Sequence, residues 1–193
     1  ADFSHISEER NFAADILKGA LKERAKGINI LLYGPPGTGK TEFCKTLADH
    51  LKMSLYGIGE SQADGGEPSR EDRLAHALLG QQLLKNENEC LLLFDEMDDL
   101  ISGGSFQIFG MRINSEKGDG SKAFINRFLE NNPVPTLWTC NDIENFDPAH
   151  LRRMTLAIEL RTPPASVRER VWRRCLDREK ITLPDHDIKT LAR

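Results

Sequence analysis

The sequence predicts an α/β fold: a three-layer sandwich around a five-stranded, mostly parallel sheet, followed by the start of a small helical domain. Three observations carry this. Short apolar runs at 28–33, 90–94, 134–139 and 156–160, with a weaker one at 54–57, alternate with longer segments of helical period. Strands that alternate with helices build parallel sheets covered on both faces. The run at 90–94 is continuous and that at 28–33 is interrupted only by Asn29, as expected of strands buried on both sides. The pattern then changes at Pro163-Pro164, beyond which only helical segments remain.

Taken in order, residues 7–25 read as an amphipathic helix with Phe12, Ile16, Ala20 and Leu21 on one face and a cap region at Ser7, Arg10 and Asn11. A strand at 28–33 precedes a glycine-rich loop, and a helix runs from about Gly39 to Lys52. After the strand at 54–57, residues 59–69 are polar and glycine-rich, hence loop. A helix at 70–85 leads to the strand at 90–94. Residues 101–121 read as a long irregular connection, and 122–130 as a helix with Phe124, Ile125, Phe128 and Leu129 as its apolar face. A short helix opens at Asp147-Pro148, an N-cap followed by a proline at the first helical position. Residues 165–180 form a basic amphipathic helix, and a second short helix starts near Pro184. The predicted division is a core at 1–161 and an incomplete helical domain at 162–193.

The chain has 193 residues, 39% hydrophobic and 29% charged, a soluble globular balance. Its net charge of −4 weighs against nucleic acid as a partner. No apolar run approaches the roughly 20 residues that span a bilayer, and no secretory signal is visible. Cys44, Cys90, Cys140 and Cys175 form no C-x-x-C pair and read as reduced thiols, pointing to a cytoplasmic protein. The five histidines lack metal-ligand spacing.

Residues 34–41, GPPGTGKT, fit the phosphate-loop pattern G-x-x-x-x-G-K-[ST]. Gly34, Gly37 and Gly39 take backbone angles that a Cβ disfavours, so successive N–H groups can line an anion site. Pro35 and Pro36 stiffen the loop. The following helix adds the positive end of its dipole. Lys40 reaches phosphate, and the Thr41 hydroxyl suits Mg²⁺. The candidate nucleotide-contacting set is Gly34, Pro35, Pro36, Gly37, Thr38, Gly39, Lys40, Thr41 and Glu42.

The strand at 90–94 runs into Asp95 and Glu96. Asp95 would support Mg²⁺ and Glu96 would polarise an attacking water. Asp98 and Asp99 read as solvated or helix-capping. Asn141 ends the fourth strand; on a strand beside Asp95 its amide could donate to phosphate and accept from water. On its own, it reads equally as a turn residue before Asp142. Arg152 and Arg153 precede the fifth strand, either as surface charge or as groups that meet a neighbouring subunit's γ-phosphate.

GPPGTGKT, LLLFDE, the strand ending in Asn141 and DPAHLRR occur in an order that resembles the AAA+ ATPases of the P-loop NTPase superfamily, nearest their protein-remodelling branch. The resemblance spans 2–161 and the opening of the lid after it. It implies a site for ATP and Mg²⁺ at subunit interfaces, ring or hexamer assembly, and hydrolysis coupled to remodelling of a partner protein. It implies Asn141 as sensor, Arg152 as the arginine supplied in trans with Arg153 as understudy, and Phe3, His5 and Ile6 near the adenine. Two departures stand out. The second arginine common in that branch is Thr155 here, and the pore-loop position, ESQADGGEPS, is acidic and lacks an aromatic. Phe106 and Ile108-Phe109-Gly110 could grip a partner or pack beneath their own loop. Arg168, Arg170, Arg173 and Arg174 read as solvated. The competing functions are an ATP-dependent switch or scaffold and a DNA-directed loader.

Overall fold

The structure, a computed structural model, describes residues 3–58, 68–98, 106–108, 111–113, 119–144 and 146–192. Its strands are β1 (Asn29–Tyr33), β2 (Ser54–Gly57), β3 (Cys90–Phe94), β4 (Phe106–Ile108), β5 (Met111–Ile113), β6 (Thr136–Cys140) and β7 (Leu156–Glu159). Five of them form one sheet in the order β2-β3-β6-β1-β7. Every pairing in that sheet is parallel. The helices are α1 (Ser7–Glu23), α2 (Lys40–Leu51), α3 (Arg70–Leu84), α4 (Asp119–Glu130), α5 (Pro148–Leu151), α6 (Ala165–Glu179) and α7 (Asp185–Leu191).

The strand side chains divide by parity. Ile30 and Leu32 of β1 and Leu91 and Leu93 of β3 join Leu17, Phe43 and Leu47 on one face of the sheet. Leu31, Leu92 and Phe94 join Leu74, Phe128 and Trp138 on the other. Alternation along an extended chain thus fills two cores at once, which is why these strands are apolar apart from Asn29.

The predicted strands and helices are present, with three local corrections. The helix α1 begins at Ser7 behind a 3₁₀ turn (Ser4–Ile6), and no side chain caps it. Its buried face is Ala13, Ala14, Leu17 and Ala20, whereas Phe12 is 58% exposed. The small alanines lie closest to the layer beneath, and Phe12 sits one position too early to share their stripe. The connection at 101–121 holds an antiparallel pair, β4 with β5. Each strand is three residues long, too short for its alternation to register as a period. The readings of the loop at 59–67, of Asp99 and of the side chains at 106–110 fall outside the described residues.

A buried polar hub at the start of β1 ties the sheet to the end of α4 and to the segment after α5. Asn29 is fully buried. Its Nδ2 donates to the carbonyls of Gly27, Leu129 and Arg153, and its Oδ1 accepts from Trp138 Nε1 at 3.0 Å and Asn132 Nδ2 at 3.3 Å. Every polar atom of this amide therefore has a partner, as burial demands.

Candidate active site

The loop after β1 is shaped by what its neighbours leave free. Gly34 has φ +141°, and a Cβ there would lie 2.1 Å from the Leu160 carbonyl oxygen, so only glycine fits. Its N–H donates to the Cys140 carbonyl at 3.3 Å, which anchors the loop between β6 and β7. Thr38 Oγ1 donates back to the Pro35 carbonyl at 2.9 Å. Gly39, at φ +90°, is the N-cap of α2 and offers no side-chain acceptor. Side chains cap α3 (a capping box of Ser69 and Asp72) and α5 (Asp147), whereas α1, α2, α6 and α7 have no side-chain cap. At α2 the free first amides follow the glycine-rich loop and adjoin Lys40, an arrangement that suits an anion and that the helix dipole favours.

Lys40 opens α2 and is 8% exposed. Its Nζ donates to the Gly34 carbonyl at 2.7 Å, the Pro35 carbonyl at 3.1 Å and Asn141 Oδ1 at 2.8 Å. Burial holds its pKa below the ordinary lysine value, against the opposing pull of Asp95, Asp98 and Glu96. The side-chain bond to Lys40 turns the Asn141 carbonyl inward and leaves the amide NH₂ as a donor. Pairing of β3 with β6 sets the strand that ends just before Asn141 beside the strand that ends just before Asp95.

Thr41 Oγ1 donates to Asp95 Oδ2 at 2.8 Å. A hydroxyl and a carboxylate oxygen, from two different elements, converge at the open end of α2. Hard oxygen donors of this kind fit Mg²⁺, which retains waters and phosphate oxygens as its other ligands. Glu96 is exposed and has φ +56°, a left-handed conformation unusual for a residue with a Cβ. Its N–H donates to Thr139 Oγ1 at 2.9 Å.

Asp98 departs from its reading as a solvated or capping group. Its Oδ2 accepts from the Asn141 N–H at 2.9 Å, and its Oδ1 from Cys140 Sγ at 3.1 Å and from the Asp142 N–H at 3.4 Å. It fixes the turn that carries Asn141. Burial and this carboxylate push the Cys140 thiol up to about 12.

The two arginines differ in their engagement. Arg153 Nε and Nη2 contact Glu130 Oε1 at 2.7 and 2.6 Å, and its Nη1 donates to the Ala149 carbonyl at 2.6 Å. Arg152 ends α5 and is exposed, and among the described residues nothing holds its guanidinium. Just before it, His150 is 3% exposed, with neither ring nitrogen hydrogen-bonded. Burial lowers its pKa from 6.5, with Lys122 and Arg153 adding to the effect and Asp147 opposing it. The unfolded chain therefore takes up a proton near pH 6.5 that the folded chain refuses, so stability falls as pH drops through that value. His150→Leu is expected to flatten this dependence. Urea midpoints at pH 7.5 and 5.5 check it: an equal acid-side drop in both proteins would remove His150 as the cause.

A cavity of about 580 Å³ opens beside the loop, within the range of small-ligand sites. Phe3, His5, Pro36, Gly37, Thr38, Gly39 and Glu42 line one side; Val167, Val171 and Trp172 of α6 supply an apolar wall, with Arg168, Arg174 and Arg178 at its edge. His5, read as a candidate neighbour of the adenine, is among these lining residues. Ile6 packs against the core cluster and is absent from this lining. Phe3 is 7% exposed and meets Phe43 edge to face, with ring centroids 5.2 Å apart. Of the α6 arginines read as solvated, Arg168 is the correction: its Nε donates to the Ala192 carbonyl at 2.9 Å in a part-buried contact. Arg170 and Arg173 reach Ser4 Oγ at 3.2 Å and Asp185 Oδ1 at 2.9 Å in exposed contacts.

Three residues escape a reading of the sequence alone: Thr139, Asp98 in its structural role, and Arg73. The Arg73 guanidinium lies 4.7 Å over the Phe94 ring and donates to the Asp95 carbonyl. No local pattern marks them, since each acts across the β3–β6 pairing or from α3.

A family model described as the ATPase family associated with various cellular activities (AAA) matches residues 30–162. The chain is 25% identical over 187 residues to the ATPase family AAA domain-containing protein FIGL1 of Arabidopsis thaliana, covering 92% of this chain and 26% of that protein. It is 24% identical over 182 residues to spastin of Anopheles gambiae, covering 89% and 20%. The chain thus spans about a quarter or less of the length of these relatives. The solved FIGL-1 AAA domain, in complex with ADP, matches 100% of this chain and 64% of its own at TM-score 0.63 and 18% identity, a likeness of fold.

Proposed function

Because the chain belongs to the AAA family of ATPases, we propose that it binds ATP with Mg²⁺, hydrolyses it at a site completed by a second copy, and uses turnover to remodel a partner protein. The observation that carries this reading is the convergence of Lys40, Asn141, Thr41 and Asp95 through direct hydrogen bonds at an uncapped helix end. In the same reading, residues 1–161 are the nucleotide-binding core and 162–193 the beginning of a helical lid.

Amides of the loop and of the first turn of α2 hold the phosphates, and Lys40 neutralises their charge. Thr41 and Asp95 would hold the metal, which when bound withdraws charge from the phosphate oxygens. Glu96, one residue beyond Asp95, takes the proton of the attacking water. Asn141 donates its amide NH₂ to the γ-phosphate while Lys40 fixes its carbonyl. Arg152, exposed and unengaged, reaches the neighbouring copy's site in a ring such as a hexamer. Arg153, held by Glu130, supports that segment.

The test is ATP turnover per subunit across a wide range of protein concentration, alongside sedimentation with ATP. Turnover that climbs as the chain associates supports the shared site. Flat, near-zero turnover with ATP still bound would replace the motor reading with that of a switch. Arg152→Ala should bind ATP normally and lose roughly 10³-fold or more in turnover of the assembled form, the scale of an arginine supplied in trans. Undiminished turnover in assembled Arg152→Ala would remove it from the mechanism.

A further inference from the structure

We infer that Thr139 is a positioning residue for the carboxylate pair: its one hydroxyl orients the Asp95 carboxylate and aims Glu96. The inference rests on the ATPase reading above and extends it to a residue outside the four that carry it.

The geometry leaves the hydroxyl one arrangement. Thr139 is fully buried on β6. The Glu96 N–H can only donate, so Thr139 Oγ1 accepts from it, at 2.9 Å. The hydroxyl proton must then go elsewhere, and Thr139 Oγ1 donates it to Asp95 Oδ1. With Oδ1 engaged by Thr139, Oδ2 is the oxygen turned to Thr41 and the metal position. The Thr139 carbonyl adds a third contact, accepting the Met97 N–H at 2.7 Å. Asp95, Glu96 and Met97 are thus gripped in succession by one residue of the neighbouring strand.

That grip accounts for the left-handed backbone of Glu96. A residue with a Cβ stays at φ +56° only where its surroundings hold it there. Here the Glu96 and Met97 amides end on Thr139, and Arg73 holds the Asp95 carbonyl from the α3 side. The branched threonine side chain has few rotamers, so both hydroxyl bonds are pre-set.

The test compares wild type with Thr139→Val, which keeps shape and loses the hydroxyl, and Thr139→Ser, which restores it. A fluorescent ATP analogue is titrated with EDTA and again with Mg²⁺, and turnover is measured in parallel. Thr139→Val should match wild type without metal, because the phosphate loop is untouched. It should lose about 10- to 100-fold in the affinity gained from Mg²⁺ and in kcat, the usual cost of removing a hydrogen-bond partner of a metal-supporting group. Thr139→Ser should recover most of both. A valine variant with the full Mg²⁺ gain and wild-type kcat overturns the inference. So does a valine variant whose metal-free affinity falls by the same factor, since that is general damage. If valine prevents folding, Thr139→Ala takes its place with the same expectations. Wild type that binds the Mg²⁺ complex without turnover would refute the ATPase reading, while the equilibrium titration would still decide on Thr139.

Discussion

Lys40→Ala is expected to abolish ATP binding while the chain stays folded. Lys40 is the single cation that the loop places among the Gly34, Pro35 and Asn141 oxygens, largely shielded from water. A phosphate group entering there gives the ammonium, bonded until then to neutral oxygens, an opposite charge in a site of low local dielectric. Truncating one partner of such a charge pair costs about 2–5 kcal/mol, or roughly 30- to 5,000-fold in Kd. The fold should survive with reduced stability, because the change frees the buried Gly34 carbonyl of this partner and leaves the sheet pairings intact. Equilibrium titration with a fluorescent ATP analogue, beside a thermal melt, checks both halves. An alanine variant binding within about threefold of wild type, below the low end of that range, would remove Lys40 from the phosphate site.

Glu96→Gln is expected to keep ATP bound and unhydrolysed. Glutamine preserves size and the left-handed backbone that the Thr139 hydroxyl supports, but it cannot take a proton from water. A positioned general base contributes roughly 10²- to 10⁴-fold in rate, and that factor should vanish from kcat with affinity intact. Single-turnover assays that separate bound ATP from released ADP give the answer. Turnover at the wild-type rate would mean that another group activates the water. Because Asp95 keeps its bonds to Thr41 and Thr139 in this variant, the loss would report on Glu96 alone.

The phosphate loop was legible because its chemistry is contiguous: eight residues carry the turn, the cation and the hydroxyl. The central strands were legible because burial on both faces makes them largely apolar, whereas the edge strands β2 and β7 are partly exposed and gave a weaker signal. Asn141 was legible by its position at a strand end and by the order of motifs. Thr139 and Asp98 were not, since their roles depend on the register that sets Phe94 opposite Trp138, a relation between distant segments. Arg73 was hidden for the same reason, reaching the strand end from α3. The face of α1 was read correctly at Ala20 and misread at Phe12, because a phenylalanine outweighs alanine in any count of hydrophobicity, whereas close packing favoured Ala13, Ala14 and Leu17. The apolar wall from α6 could not be foreseen, because which face of that helix turns toward the loop is set by packing.

The strand order has a consequence for how this chain comes off the ribosome. β1, which leads into the phosphate loop, pairs only with β6 and β7: Asn29 faces Thr136, and Ile30 faces Leu156. β2 and β3 can pair with each other much earlier, through Ser54 and Cys90. During synthesis from the N-terminus, β1 waits as an unpaired, largely apolar strand until β6, ending at Cys140, has emerged, a delay of roughly ten seconds at ordinary elongation rates. Chain elongation therefore leaves the apolar side chains of Ile30, Leu31 and Leu32 without their sheet partners for that interval in every newly made copy.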